Sequence, residues 1–240
     1  MSFTDDITLA ALAARTTSGT GTAVDTTFYR LARLILYVSA CSNGSALKVT
    51  VQASKDGVIW AALWMSPEIN SATSIEFTVP DLPMNGKIRV LWTQSGPATF
   101  EVSGELVQSY ASSKELYRHA IPASGLTGVE LVDIVEELVT QSEVADGYLA
   151  GKYTMPLIAW GGDLTSRICH MAEYSLITTR GMNPDGDTYT IIKDKYDAAI
   201  KWLSDVAAGK IKSPAIVDSA EPATTAGGAA VTVTSTLRGW

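Results

Sequence analysis

The sequence predicts an α+β protein built from separate domains. It expects an N-terminal antiparallel β-sandwich or jelly roll over residues 1–109 and a linker over 110–126. A small three-helix bundle follows over 127–212, then an extended C-terminal tail over 213–240. Three observations carry this expectation. Short apolar or alternating runs, separated by turn residues, fill the first hundred positions. The hydrophobic period then changes from two to between three and four. The last segment is rich in small residues and ends on a β pattern with no neighbour in sequence to pair with.

Seven runs read as strands: Leu9–Ala14, Leu31–Ala40, Leu47–Ala53, Ile59–Met65, Ser74–Val79, Lys87–Gln94 and Thr99–Val107. Between them stand Asn43-Gly44, Asp56-Gly57, Asn85-Gly86 and Ser95-Gly96-Pro97. Asx-Gly pairs supply the positive φ that tight hairpins need. Short strands at this spacing, with no helical period between them, fit a sandwich and exclude a parallel βαβ sheet. Trp60, Trp64 and Trp92 fall in this half. Trp60 and Trp64 are four apart, which would put them on one face of one strand. They read as sandwich core, with a glycan-stacking platform as the alternative.

The segment Ser109–Gly125 is polar and carries Ser112-Ser113, Pro122 and Gly125. It reads as a linker with room for a short helix around Lys114–His119. Thr127-Gly128-Val129-Glu130 then has capping-box form. Beyond it Leu131, Ile134, Val135, Leu138, Ala145 and Tyr148 make one apolar stripe, and Gly151 and Pro156 close the helix. A second helix, with Asp163 as N-cap, buries Leu164, Ile168, Met171, Ala172, Ser175 and Leu176 and ends near Gly181. A third starts near Asp187 or Thr188. It carries Ile192, Tyr196, Ala199, Ile200, Leu203 and Val206 on one face, and Gly209 closes it. The expected bundle core is therefore Leu131, Ile134, Leu138, Tyr148, Ile168, Met171, Tyr196, Ile200 and Leu203.

In the tail, Thr224–Ala230 is a flexible small-residue stretch. Val231, Val233 and Ser235 then alternate with threonines before Leu237, Arg238 and Trp240. A lone strand is marginal by itself, so this pattern reads either as a strand that pairs with a neighbour or partner or as a disordered tail.

Composition narrows the function. The chain has 240 residues, 46% hydrophobic and 18% charged, with a formal net charge of −7. A protein that grips phosphate backbones over a whole face is usually basic, so tight DNA binding is not expected. An acidic wall instead lets DNA slide past. Cys41 and Cys169 have no CxxC or metal-type spacing and read as buried, reduced thiols. Of the two histidines, His119 sits in the linker. His170 follows Cys169, and adjacent residues point to different sides of a helix, so they form no nucleophile–base dyad. Asn183-Pro184-Asp185-Gly186-Asp187 has calcium-loop composition but lacks the bidentate glutamate, and reads as a turn. Gly161-Gly162-Asp163 is a weak anion-binding signal without a P-loop lysine. No catalytic residue, metal or cofactor is expected. The start Met1–Asp6 is acidic rather than basic, and no apolar run approaches the ~20 residues that span a bilayer. Folding in a cytoplasm, away from membranes, is the expectation.

The run Ser142–Leu157, SEVADGYLAGKYTMPL, resembles the signature of the phage Mu gp36-like proteins, small helical proteins grouped with head–tail connector and head-completion proteins. The resemblance continues through Tyr196–Leu203 and Ala207–Ile211 and covers about 127–212. It implies a non-enzymatic adaptor forming a homo-oligomeric, usually twelvefold ring beneath the portal. Double-stranded DNA would pass through without sequence-specific binding. The implied partners are the portal protein, a tail-completion or stopper protein or the tail, and, through the β half, capsid or tail. The implied place is the head–tail interface of a virion assembled in host cytoplasm. Val231, Val233, Leu237, Arg238 and Trp240 would then dock on portal or a neighbouring copy. The alternative is a head decoration, fibre or receptor-binding protein that works through its β domain.

Overall fold

A computed structural model describes residues 4–181, 187–211 and 215–219. The N-terminal half holds nine strands: β1 (Thr4–Arg15), β2 (Gly19–Thr20), β3 (Val24–Asp25), β4 (Tyr29–Cys41), β5 (Leu47–Ser54), β6 (Ala61–Met65), β7 (Thr73–Pro80), β8 (Lys87–Gln94) and β9 (Ala98–Gln108). They form two antiparallel sheets, β1-β9-β4-β7 and β2-β8-β5-β6, with β3 also on β8. Counting β2 and β3 as one interrupted strand, this is the eight-stranded order of a jelly roll. The core is the alternating inner set, with Leu34, Leu36, Val38, Phe100 and Val102 facing Val49, Val51, Ile88 and Val90, all buried. The short strands β2 and β3 carry too few residues to show an alternation, so they have no counterpart in the sequence reading.

Trp60 and Trp64 do not share a face. Val51 pairs with Trp64 and Gln52 with Ala62, so Leu63 is the extra residue of a bulge. Trp64 stacks on Phe77 at 3.6 Å, against the core. Trp60 precedes β6 and lies under the Arg89 guanidinium at 3.9 Å on the outer surface.

Among its described residues the second half has four helices, the short one expected around Lys114–His119 and the three long ones: α1 (Ser113–His119), α2 (Leu131–Leu149), α3 (Gly162–Thr179) and α4 (Asp187–Ala207). A 3₁₀ turn (Ala123–Leu126) precedes α2, and β10 (Leu157–Ala159) pairs antiparallel with β11 (Val217–Asp218), which returns to it after α3 and α4. The segment expected to be a linker is part of this domain. Tyr110, Ala111, Leu116, Ile121 and Leu126 are buried in one core with Ile134, Leu138, Ile168, Met171 and Leu203. Its polar residues misled the reading because they serve as caps. Ser112 and Glu115 form the capping box of α1, whereas Thr127 does not cap α2 but ends the 3₁₀ turn, its hydroxyl donating back to the Ser124 carbonyl. Helix α2 starts after Glu130 with no side-chain cap.

Leu131 is not a core residue: it is 41% exposed. It is the first residue of α2, one step before the buried stripe begins at Ile134 and Val135. Tyr148, Tyr196 and Ile200 are partly buried against the core. Gly161, not Asp163, is the N-cap of α3. The tail begins later than 213, because Ile216 is buried in the helical core and β11 pairs with β10. Residues 182–186, including most of the Asn183–Asp187 turn, lie outside the described residues. So do the docking candidates Val231, Val233, Leu237, Arg238 and Trp240.

Candidate functional site

The run Ser142–Leu157 is a junction where four chain segments meet. Ser142 lies on α2, and its Oγ accepts from the Tyr110 N–H at 3.0 Å while donating to the Leu138 carbonyl at 2.7 Å. Four residues on, one helical turn along the same face, Asp146 accepts from the Tyr110 hydroxyl. The Tyr110 carbonyl in turn accepts from Trp160 Nε1 at 3.1 Å and Thr165 Oγ1 at 3.0 Å. Where the chain turns after α2, Lys152 Nζ donates to the Val206 carbonyl at 2.9 Å near the end of α4. The Leu157 carbonyl accepts from Gln108 Nε2 at 2.9 Å. Thr154 N–H donates to Asp218 at 2.8 Å, and Ser219 N–H to the Thr154 carbonyl at 3.3 Å. The corner thus ties the exit of β9, the middle of α2, the end of α4 and the start of the C-terminal segment to one point.

Burial sets the electrostatics of this junction. The Asp146 carboxyl is pushed up to about 6 by burial, with Glu143 adding to the rise and the Tyr110 bond opposing it. Burial likewise raises the Tyr110 hydroxyl well above its ordinary value. These groups lie in the packed interior and hold segments in register. Cys169 is fully buried and its thiol is pushed up to about 12, so it stays protonated at neutral pH. His170 hydrogen-bonds the His119 carbonyl at 3.3 Å, and burial lowers its pKa. Among the described residues no group of three or more His, Cys, Asp or Glu is placed to hold a metal ion.

The two domains share a built seam. Helix α2 lies on the outer face of the β1-β9-β4-β7 sheet, where Leu31, Val107, Val135 and Val139 form a small buried cluster. Beside it Arg33 reaches Glu136 and Glu105. Asp81, in the turn after β7, accepts from the Ser113 N–H at 3.1 Å at the start of α1. Arg30, nearly buried, sits 3.6 Å from Glu115. The sequence reading missed this seam, because its apolar members alternate with core residues on β4 and β9 and look like ordinary strand positions.

Away from the seam, the loop between β5 and β6 presents Val58 and Ile59 at 79% and 76% exposure. The loop is fixed from within. Asp56 Oδ1 accepts from the Val58 and Ile59 N–H groups at 2.8 and 2.9 Å, which hold that carboxyl below its ordinary range. Ser54 Oγ accepts from Gly57 N–H at 2.8 Å.

No helix of the described residues is long and apolar enough to cross a membrane. No curated protein matches the chain. Among solved structures, the SPBc2 prophage-derived protein YomS is 14% identical, with a TM-score of 0.33, over 45% of this chain and 96% of that one. A structure of the Gx strain of infectious bursal disease virus is 9% identical, with a TM-score of 0.31, over 45% of this chain and 32% of that one. The family described as Bacteriophage Mu, Gp36 matches residues 108–233. That match begins at the last residue of β9, takes in the whole helical domain and its Ser142–Leu157 corner, and runs on into the C-terminal segment. The chain belongs to the Bacteriophage Mu Gp36 family.

Proposed function

We propose that this phage protein is a structural, non-enzymatic head–tail adaptor that forms a ring beneath the portal and extends the DNA channel toward the tail. The observation that carries the reading is the extent of the family match. It covers the helical domain and continues to residue 233, past Val231 and Val233, while leaving the jelly roll outside. The shared unit is thus a helical body plus the segment it emits. The body anchors that segment at a fixed point, through the β10–β11 pairing and the Ser219–Thr154 bond. Val231–Trp240 lies 12 to 21 residues beyond Ser219, a reach of up to about 40–75 Å when extended. Its alternating pattern suits pairing with a strand of portal or of a neighbouring copy. An acidic helical half suits a wall past which DNA moves without sticking.

The test is removal of residues 220–240, which keeps the buried Ile216 and β11 in place. The shortened protein should keep its circular dichroism and thermal transition and lose capture by the portal protein of the same phage. Undiminished capture would overturn the docking role. Deletion of the gene should give filled or leaking heads beside separate tails. Normal tailed particles that adsorb poorly would instead favour a decoration or receptor-binding role, the reading that the exposed Val58 and Ile59 support.

A further inference from the structure

The outer faces of the jelly roll carry opposite charge. On the β1-β9-β4-β7 face, residues paired across the sheet project outward together: Asp6 with Glu105 and Arg33, Ser103 with Ile35 and Glu76, Glu101 with Tyr37. Arg33 and Glu105 are engaged with each other and with Glu136. That leaves Asp6, Glu76 and Glu101 around Ile35 and Tyr37, which are 41% and 46% exposed. Among the described residues, helix α2 packs on the Leu31–Val107 end of this face. Part of the remaining face is a shallow depression of about 620 Å³ lined by Asp6, Arg33, Ile35, Glu76 and Glu105, with Tyr37 and Glu101 outside it. On the opposite sheet, Lys48, Thr50 and Gln52 of β5 project outward with Thr93, Leu91 and Arg89 of β8, and Lys87 lies at the end of the row. The strands of that face carry Lys48, Lys87 and Arg89, with Asp25 beside Lys87 as the one acid. Their apolar centre is half-buried Leu91 and Met65, the latter 50% exposed.

We propose that the jelly rolls of neighbouring copies stack face to back, the Lys48–Lys87–Arg89 face of one copy against the Asp6–Glu76–Glu101 face of the next. Each face has an exposed apolar centre with a charged rim, the anatomy of a protein interface. The rims attract when unlike faces meet and repel when like faces meet, so a two-fold dimer through either face is disfavoured. The two patches lie on opposite sides of one sandwich. A contact between them is therefore heterologous and repeats in one direction, closing into a ring when the rotation per copy allows. This gives the jelly roll a partner, a second copy of this chain, and stands independently of what the C-terminal segment binds.

The test uses the full chain with Cys41 replaced by serine. Tyr37→Cys alone and Met65→Cys alone should not cross-link to themselves under mild oxidation. A mixture of the two should give dimers, and the chain carrying both should give a ladder of higher multimers. Cross-linked dimers from either single variant, or no cross-link in any mixture, would overturn the stacking. Sedimentation of uncross-linked protein gives a second readout. Lys48→Glu with Lys87→Glu should weaken self-association at least about tenfold at low salt. Adding Glu76→Lys with Glu101→Lys should restore it to within about threefold, since the faces are then again complementary. Association that ignores both changes, or a chain that stays monomeric at all concentrations, also sinks the proposal. Portal capture by the same variants is scored separately, so a failure here is distinct from a failure of the adaptor reading.

Discussion

Arg33, on the outer face of β4, grips Glu136 of α2 with two nitrogens, Nε at 3.1 Å and Nη2 at 2.5 Å, while Nη1 donates to Glu105 of β9 at 3.0 Å. One guanidinium therefore joins β4 and β9, the two central strands of the β1-β9-β4-β7 sheet, to helix α2. A forked Arg–carboxylate pair is stronger than a single ion pair. Here, however, the Arg33 and Glu136 side chains are 42% and 35% exposed, so solvent screens much of the attraction. Arg33→Met keeps the apolar stem and removes the fork. It should cost about 1 kcal/mol at low salt, read as a fall of about 2–4 °C in the melting temperature. The difference should shrink in 1 M salt, where charges are screened within about 3 Å. A loss that salt does not change would place the effect in packing rather than charge.

Burial of Asp146 beside Tyr110 predicts a pH dependence of stability. A carboxyl pushed up to about 6 by burial holds its proton more tightly in the folded chain than in the unfolded one. Both states are protonated at low pH. As pH rises from about 4 to about 6 the unfolded chain ionises first, so this group progressively disfavours folding and its penalty then stays constant. Two units of difference correspond to about 3 kcal/mol. Asp146→Asn keeps an acceptor for the Tyr110 hydroxyl and removes the buried charge. In urea unfolding, the variant's stability relative to the parent should rise through this pH interval and level off above it. Parallel profiles for the two proteins would mean that Asp146 titrates normally.

Much of the fold was legible because particular residues satisfy two requirements at once. Leu34, Leu36 and Val38 alternate in β4 and fill the core, while Asn43-Gly44 and Asp56-Gly57 place positive φ at Gly44 and Gly57 where turns occur. The expected strands and the three long helices follow from such local agreement. What stayed hidden depends on partners distant in sequence. Ser113 looks like linker composition until Asp81, on the turn after β7, accepts its N–H at the start of α1. Ile216 looks like tail until it meets the helical core. Leu63 shifts the register of β6 through a bulge that no local pattern announces. The Ser142–Leu157 resemblance located the junction but not its physical role, since its bonds run to Gln108, Tyr110, Val206 and Asp218.

Two glycines should respond in opposite directions to alanine. At Gly104, φ is +156°, and an added Cβ would sit 2.1 Å from the Arg33 carbonyl oxygen and 2.9 Å from Leu34 Cα. Both obstacles are backbone of the paired strand β4, so they cannot swing aside. Gly104→Ala should cost more than about 3 kcal/mol or prevent soluble expression. Gly147 lies exposed within α2, with nothing within 4 Å of an added Cβ. Gly147→Ala should stabilise by about 0.5–1 kcal/mol through helix propensity alone. Thermal unfolding of the pair checks both, and a stable Gly104→Ala chain would show that β4 and β9 can separate locally.

Leu131 and Leu138 test where the buried stripe of α2 begins. Seven residues apart, they fall on nearly the same side of an ideal helix. Yet Leu138 is fully buried and Leu131 is 41% exposed. The difference arises because α2 enters the helical core only from Ile134 onward, with Leu131 still at its first position. Leu138→Ala removes packed methyl groups and leaves a cavity, which should cost about 2–5 kcal/mol. Leu131→Ala leaves no enclosed void, and alanine is the better helix former, so the change should stay within about 0.5 kcal/mol. If Leu131→Ala instead costs as much as Leu138→Ala, the side chain is covered in the folded protein. A neighbouring copy or the residues beyond 219 would then be the element covering it, and repeating the measurement on the chain shortened at 219 distinguishes the two.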